Sequence, residues 1–479
     1  MKKALRRHKE IPRDKLGFDI GQNVSFVPQN GLCTMCSTCE SVCPEDAIVV
    51  GVNEDKGTYE PFVLDEKCVQ CGTCVDACPG YELDLKGLAD DFESEKIHKN
   101  KYIGNYSEIL RMYSTDRVIA KFGASGGMVT GILDYLLSSG AIDGAIVTKM
   151  SEANPIETIS YVASSREELL LSQKSKYLPT RLNGILKMII RGQISQKRIA
   201  FAGLPCHIEG LRLAQRIFPV LKERIVFVIS LFCSRTPSFH ATQFLLDYHG
   251  INKSDLERID YRGNGHPGEL TLHLKTGSSY FVNHLHWTYW GHAFMNFFWP
   301  SRCFMCPDKT GELSDISIGD NWQELWISPR STSTVIARNS KSRELLHQMV
   351  ASDKAVILNS LAADEFIGDQ NLLKKRNIGS RLLLMKLIGR KTPLYYEKFD
   401  VSLKELLSAF RLMTHVLVSE KNLPFPYLKV YIYLSYIKER FLIALKRLSS
   451  FRYLFGLVRI IGSKIVRVFQ IILFIAKKK

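Results

Sequence analysis

The middle of the chain alternates short apolar runs with longer stretches in which apolar residues recur at helical spacing. Runs of β-branched and aromatic residues predict strands at 141–148, 198–203 and 224–232. A glycine-rich loop at 121–127 precedes an amphipathic stretch, and we expect a helix there with Ser125 as its N-cap. Strands separated by helices predict an α/β domain.

The two ends of the chain differ from the middle in their pattern of apolar and charged residues. Near the N-terminus, residues 47–50 and 59–65 read as two short strands, and the charged sequence after Pro79 reads as a linker to about Tyr102. From about Tyr427 the chain is rich in Ile, Leu, Phe and Tyr with interspersed cations. On a helix, at about 100° per residue, five of these cations fall within an arc of roughly 140°. These five are Lys446, Arg452, Arg459, Lys464 and Arg467.

Composition and charge limit the class of protein. The 479 residues are 46% hydrophobic, which excludes a largely disordered chain. Of the net charge of +16, residues 401–479 contribute 15 Lys or Arg against 3 Asp or Glu. The preceding 400 residues carry 49 against 45, so the basic excess indicates a tail with its own partner rather than a nucleic-acid-binding protein.

The twelve cysteines point to metal or redox chemistry. The basic start of the chain lacks an apolar region behind it, and no apolar run approaches the roughly 18 residues of a membrane span. We therefore expect a cytoplasmic protein, in which cysteines bind metal more often than they form disulfides.

Eight of the cysteines form two runs with the same spacing, C-x2-C-x2-C-x3-C-P. The first run is Cys33, Cys36, Cys39 and Cys43, and the second is Cys68, Cys71, Cys74 and Cys78. This is the spacing of bacterial two-cluster ferredoxins, in which the fourth cysteine of each run binds the other cluster. It predicts one 4Fe–4S cluster on Cys33, Cys36, Cys39 and Cys78, and another on Cys68, Cys71, Cys74 and Cys43. A pair of zinc sites is the alternative.

The other four cysteines are spread along the α/β region. Cys206 and Cys233 follow two of the predicted strands, and open α/β sheets place their sites at such strand ends. Cys303 and Cys306 form a C-x2-C turn. Together the four could hold a third cluster, and the alternative is four separate buried thiols.

Six motifs, in order, resemble those of the family of coenzyme F420 hydrogenase/dehydrogenase beta subunits. They are residues 124–130 (ASGGMVT), 175–179 (SKYLP), 203–206 (GLPC), 261–263 (YRG), Cys303-x2-Cys306 and 315–322 (DISIGDNW). The resemblance covers about residues 100–345. It implies an α/β domain there that binds FAD and a 4Fe–4S cluster, with a two-cluster ferredoxin-type domain at 24–88 ahead of it. A helical, basic region at 346–479 matches nothing in the core family.

The resemblance also implies roles for individual residues. Cys206, Cys233, Cys303 and Cys306 would hold the cluster nearest the flavin. Ser125, Gly126 and Gly127 would contact FAD through their backbone, although a plain turn is the alternative for this loop. Lys176 and Tyr177 would line the flavin or substrate pocket. The implied reaction passes electrons between a small-molecule hydride carrier, coenzyme F420 or another, and a ferredoxin or similar redox protein.

Three questions stay open at the level of sequence. The protein could instead be a non-catalytic electron-transfer subunit, or a reductase of a biosynthetic intermediate at a membrane. The basic C-terminal helix suits the anionic inner face of a membrane, to which Lys477, Lys478 and Lys479 would add attraction, and packing on a protein is the alternative. His284, His286 and His292 stand among aromatic residues and predict a packed segment or a pocket wall.

Overall fold

The computed structural model describes residues 23–92, 98–263, 268–282, 289–322, 331–420 and 424–447. They divide into two compact units. One comprises the described residues within 23–282 and 296–420, and the other comprises those within 289–295 and 424–447.

The cysteine-rich N-terminal residues form short elements around a hairpin. These are α1 (Phe26–Gln29), α2 (Thr38–Ser41), β1 (Ile48–Asn53), β2 (Thr58–Val63), α3 (Thr73–Asp76), β3 (Glu82–Leu83) and α4 (Leu85–Phe92). Strands β1 and β2 pair antiparallel, with Val49 opposite Phe62. The two strands expected in this region are confirmed.

The α/β region follows in the order that the hydrophobic pattern indicates. Its elements are β4 (His98–Asn100), β5 (Gly104–Tyr106), β6 (Glu108–Ser114), α5 (Arg117–Phe122), α6 (Met128–Ser138), β7 (Gly144–Met150), β8 (Thr158–Ala163), α7 (Arg166–Leu171), α8 (Leu186–Ile190), β9 (Ile199–Gly203), α9 (Pro205–Ile217), α10 (Pro219–Arg224), β10 (Ile225–Leu231), α11 (Phe239–His249), β11 (Leu256–Gly263), β12 (Glu269–Leu274), β13 (Ser279–Val282), α12 (Tyr289–Asn296), α13 (Ser301–Phe304), β14 (Ile316–Asp320), β15 (Ser333–Ala337), α14 (Ser340–Ala351) and β16 (Ala355–Ser360).

The remaining described residues are mostly helical. They form α15 (Ala363–Asp369), α16 (Leu372–Arg376), α17 (Gly379–Leu387), β17 (Leu394–Tyr395), α18 (Leu403–Glu420) and α19 (Phe425–Arg447).

An eight-stranded mixed sheet is the scaffold of the larger unit. Its strand order is β16-β6-β15-β14-β10-β9-β7-β8. The four strands β14, β10, β9 and β7 are parallel, and antiparallel strands flank them on both sides. The predicted strands at 141–148, 198–203 and 224–232 are thus confirmed as β7, β9 and β10. Parallel strands bring their C-terminal ends to one edge of the sheet.

Helices cover both faces of this sheet. On one face, Ala200 and Ile229 pack with α6 and α14 in a core cluster that contains Ile132 and Leu346. On the other face, Phe201 and its neighbours pack with α8, α9 and α10. Strand residues alternate between the two cores because side chains point to opposite faces of a strand.

The ferredoxin-type residues belong to the second core instead of standing apart. Leu85 and Leu88 of α4 are buried in it together with Val42. The side chain of Asn183, which is fully buried, donates to Thr38 Oγ1 at 2.8 Å. The expectation of a linker after Pro79 was therefore wrong for residues up to 92, because apolar residues at helical spacing hold this stretch against the sheet.

The start of α6 also differs from expectation. Gly127, with φ of 73°, is its N-cap, and the Ser125 side chain makes no cap hydrogen bond to this helix. Ser125 Oγ instead donates to the Thr332 carbonyl at 2.8 Å. A left-handed residue is needed at the turn into the helix, and glycine adopts it without strain.

The smaller unit contains α19 and most of α12. His292 is buried, its Nε2 lies 3.3 Å from Ser435 Oγ, and its ring contacts Tyr436 edge-on. His292 is thus a packed residue, whereas His284 and His286 lie outside the described residues. So do Arg452, Arg459, Lys464, Arg467 and Lys477–Lys479 of the basic tail. Of the helices in the described ranges, none could cross a bilayer.

Candidate cofactor site

The first cysteine set lines one small pocket in the N-terminal part. Cys33, Cys36, Cys39 and Cys78 all face it. Burial raises the pKa of Cys33 above its ordinary range, and the adjacent thiols of Cys36 and Cys78 add to that shift. The Met35 amide donates to Cys33 Sγ at 3.4 Å. Amide donors of this kind stabilise the sulfur ligands of iron–sulfur clusters.

The second set lines a separate pocket that opens towards solvent. Cys43, Cys68, Cys71 and Cys74 face it. Burial raises the pKa of Cys74 to about 12, with further contributions from Cys71, Cys43 and Cys68. The Ala47 amide lies 3.3 Å from Cys43 Sγ. The structure therefore brings together the two crossed sets that the ferredoxin spacing predicts.

The third set gathers at the C-terminal edge of the sheet. Cys206 lies in the first turn of α9 after β9, and Cys233 follows β10. Burial raises the pKa of Cys233 to about 12; Lys375 opposes this shift, and Cys303 and Cys306 reinforce it. Because β9 and β10 are adjacent parallel strands, the cysteines after them meet at the same edge.

The chemistry of these thiols fits iron–sulfur clusters. Thiols buried beside one another resist ionisation, as the raised pKa values of Cys39, Cys78 and Cys206 show. The positive charge of iron reverses that preference, because a coordinating thiol is deprotonated. Among the described residues, no three His, Cys, Asp or Glu side chains converge on a single metal ion. Each cysteine of a 4Fe–4S cluster binds a different iron atom, so cluster ligands need not converge.

The three sets adjoin one another in a series. Burial raises the pKa of Cys206, and one of the neighbours that add to this effect is Cys36 of the first set. Cys78 of the first set in turn interacts with Cys74 of the second. The first set therefore lies between the third and the second.

Positive side chains surround the third set, and sequence reasoning missed them. Arg302 is buried and donates to the carbonyls of Pro79 and Gly80, each at 2.9 Å. The Arg235 guanidinium lies over the Trp299 ring at 3.5 Å, and Cys303 and Cys233 interact with it. Buried cations offset the negative charge of four thiolates.

Next to the third set, residues of four of the family motifs meet in one connected group. Arg262 Nη1 lies 3.0 and 2.8 Å from the two carboxylate oxygens of Asp320. Burial disfavours the charge of Arg262, but Asp320 and Tyr177 outweigh it and raise its pKa above the ordinary value. Across the strand pair, Asp320 stands opposite Ser333, whose hydroxyl is 3.1 Å from Ser125 Oγ. Ser125, Tyr177, Arg262 and Asp320 therefore belong to one connected group at the edge of the sheet.

Lys176 makes contacts within its own segment. Its Nζ donates to the carbonyls of Ser172, Gln173 at 2.8 Å and Lys174 at 3.0 Å. Burial lowers the pKa of Lys176 to about 7, whereas three carbonyl acceptors favour its charged form. These contacts close the segment after α7 and thereby fix the residue that follows, Tyr177.

The two glycines of the loop are required by close packing. A Cβ on Gly126 would lie 2.7 Å from the Met112 oxygen and 2.7 Å from the Ser333 nitrogen. A Cβ on Gly127 would lie 2.8 Å from Ile119 Cγ2. The loop is thus held directly against the ends of β6 and β15.

Comparison with known protein families gives three matches along the chain. Residues 109–187 match the model for the N-terminal part of the beta subunit of coenzyme F420 hydrogenase/dehydrogenase. Residues 196–360 match the model for the C-terminal part of the same beta subunit. Residues 32–80 match the model of a 4Fe–4S dicluster domain. The third match includes both ferredoxin-type runs, from Cys33 to Cys78.

Curated relatives share about a quarter or slightly more of their aligned residues with this chain. A coenzyme F420-dependent sulfite reductase of Methanocaldococcus jannaschii is 28% identical over 67% of this chain and 46% of its own length. The chain thus spans about half of that relative. The beta subunit of a coenzyme F420 hydrogenase of Methanothermobacter thermautotrophicus is 28% identical over 57% of this chain and 90% of its own length. A subunit of the F(420)H(2) dehydrogenase of Methanosarcina mazei is 25% identical over 64% of this chain and 81% of its own length.

Proposed function

Since the chain belongs to the family of coenzyme F420 hydrogenase/dehydrogenase beta subunits, we propose that it is an iron–sulfur flavoprotein oxidoreductase. It exchanges electrons between a small-molecule hydride carrier and one-electron carrier proteins. FAD accepts a hydride as a unit and exchanges single electrons with 4Fe–4S clusters, which is the chemistry that this conversion needs. The observation that carries the proposal is the series of three adjoining four-cysteine sets.

In this proposal each cysteine set has one position in the series. Cys206, Cys233, Cys303 and Cys306 hold the cluster nearest the flavin. Cys33, Cys36, Cys39 and Cys78 hold the middle cluster, since Cys36 interacts with Cys206. Cys43, Cys68, Cys71 and Cys74 hold the cluster nearest the surface, since Cys71 is exposed.

The flavin side of the site is assigned to the edge of the sheet beside the third set. Ser125, Gly126 and Gly127 supply backbone contacts on a loop that close packing holds rigid. Tyr177 offers an aromatic ring in the same group as Arg262 and Asp320. Lys176 positions Tyr177 through its three carbonyl contacts.

Coenzyme F420 is the hydride carrier that we propose first, because the relatives that match over most of their length carry it in their names. Both of those relatives are named as subunits. We therefore propose that this protein also acts with at least one partner chain.

The direct test is cofactor content after anaerobic purification of the full chain. Three 4Fe–4S clusters and one flavin predict about twelve irons and about one FAD per chain. Matched serine variants then assign the sites. Cys71→Ser and Cys306→Ser should each lose about four irons. Both should slow the oxidation of reduced flavin by an added one-electron acceptor, because both interrupt the series, but only Cys306→Ser should also slow the transfer of electrons from reduced flavin to the remaining clusters. An unchanged flavin oxidation rate in Cys306→Ser would refute the assignment of the third set.

A further inference from the structure

The ferredoxin-type part has a charge opposite to that of the whole chain. Residues 23–92 contain 13 Asp or Glu against 3 Lys or Arg, whereas the full chain has a net charge of +16. Several of these acids lie around the second cysteine set. Glu45, Asp65 and Glu66 are exposed there, whereas Asp46 is paired with Lys187 and Arg191.

The same region exposes a thiol and apolar side chains. Cys71 is exposed, in contrast to Cys36 and Cys39 of the first set, which are buried. Beside it in the pocket wall, Val69 is 61% exposed. On the neighbouring hairpin, Val49 and Phe62 are cross-strand partners, and each is about half exposed. We call the surface formed by Glu45, Asp65, Glu66, Val69 and Cys71 the distal face.

We propose that the distal face is the docking surface for a one-electron carrier protein whose redox centre is ringed by Lys and Arg. This inference rests on the proposed function, because it assumes that the second cysteine set holds a cluster. An exposed ligand of that cluster marks the place where a carrier can come closest to it. Val69 supplies apolar contact, and the acidic rim selects the charge of the partner. A cluster bound by four thiolates is itself an anion, which strengthens the attraction to a basic rim.

The charge of the distal face fits a transient redox partner. Redox encounters have small interfaces and depend on long-range charge to guide association. Their affinity therefore falls as salt screens the charges, with a screening length of about 10 Å at 0.1 M salt. A carrier with an acidic rim would be repelled by Glu45, Asp65 and Glu66, so an acidic ferredoxin is not the partner that this face selects.

Binding of a redox-inert basic probe tests the proposal separately from catalysis. Zinc-porphyrin cytochrome c of the mitochondrial type is a small basic carrier that accepts no electrons in the dark. We expect it to bind the anaerobically purified full chain at low salt and to dissociate as NaCl is raised. The variant E45K/E66K should weaken binding by about tenfold.

A matched variant controls for total charge. Glu257 and Glu344 are exposed acids elsewhere on the same unit, on β11 and α14. E257K/E344K makes the same change in net charge, and we expect it to leave the affinity unchanged. Val69→Ser should weaken binding with no change in its salt dependence, because it removes apolar contact only.

Iron and FAD content of the same preparations separates the two claims. Missing clusters would contradict the proposed function, whatever the probe does. Full cofactor content with equal probe affinity in wild type and E45K/E66K would overturn the docking surface alone. Equal weakening by E257K/E344K, or binding of an acidic two-cluster ferredoxin that is weaker in E45K/E66K than in wild type, would overturn it as well.

Discussion

The ion pair of Arg262 and Asp320 is expected to hold together the edge of the sheet to which we assign the flavin. The Arg262 side chain is 5% exposed and that of Asp320 is 18% exposed. Asp320→Asn keeps the shape of the side chain but removes its charge, so a buried guanidinium loses its counter-ion. Removing one partner of a buried ion pair lowers the free energy of unfolding by about 3–5 kcal/mol. Because Asp320 keeps some contact with water, we expect the lower end, about 3 kcal/mol.

A double-mutant cycle measures that interaction. Arg262→Met, Asp320→Asn and the double variant are compared with wild type by thermal unfolding at one scan rate, since loss of clusters makes unfolding irreversible. At roughly 2 °C per kcal/mol for a chain of this size, Asp320→Asn should lower the apparent Tm by about 6 °C. The double variant removes both charges, so its loss should be smaller than the two single losses added, by about 2 kcal/mol.

Additive losses in this cycle would refute the reasoning. So would an Asp320→Asn variant whose apparent Tm equals that of wild type. Iron content is the control, because the pair lies outside the three cysteine sets and all variants should retain wild-type iron.

Three further predictions concern other parts of the structure. Cys71→Ser should lose only the cluster nearest the surface and retain FAD; loss of FAD as measured by flavin fluorescence after denaturation would contradict the separate sites. Gly126→Ala should lower the free energy of unfolding by about 2 kcal/mol or more, because the added Cβ meets backbone atoms. Gly368 lies on a helix with open space around it, so Gly368→Ala should instead raise the free energy of unfolding by up to about 1 kcal/mol. Equal apparent Tm values for the two variants would refute the packing argument. Burial raises the pKa of Glu312 to about 7 in the folded protein, although Arg376 opposes this shift. Between the ordinary carboxyl pKa of 4.5 and about 7, the folded state therefore keeps a proton that the unfolded state has released. Stability should therefore fall as pH rises from about 5 to about 7, and less so in Glu312→Gln; parallel pH profiles of apparent Tm would contradict this.

The cysteine sets were the part of the site most open to prediction from sequence. The spacing within each ferredoxin-type run is local, so the sequence alone indicates which thiols share a loop. The third set depended on the predicted strands that precede Cys206 and Cys233. Those strands could be predicted because each is a short run of β-branched and aromatic residues, whereas their adjacency, which brings the two cysteines to one edge, comes from the fold.

The group at the proposed flavin site could not be assembled from sequence. Tyr177, Arg262 and Asp320 come from segments about 60 to 140 positions apart. Their letters matched family motifs, but the ion pair depends on how β11 and β14 are placed in space. The buried cations Arg235 and Arg302 carried no motif, and only the fold places them beside the third set.

Two local errors have physical causes. The linker expected after Pro79 was inferred from its many charged residues, whereas two leucines at helical spacing, Leu85 and Leu88, were enough to dock it. Ser125 was expected to cap α6 because serine is a favoured N-cap residue. The turn needed a left-handed residue instead, and Gly127 provides it.

Anaerobic titration of the purified full chain with reduced coenzyme F420 tests the central claim most directly. One absorbance experiment follows the flavin and the iron–sulfur clusters together. We predict that both bleach on addition of reduced coenzyme F420, in a protein with about twelve irons and about one FAD. A protein with about eight irons and no flavin, and no bleaching, would contradict it and leave only a passive electron carrier.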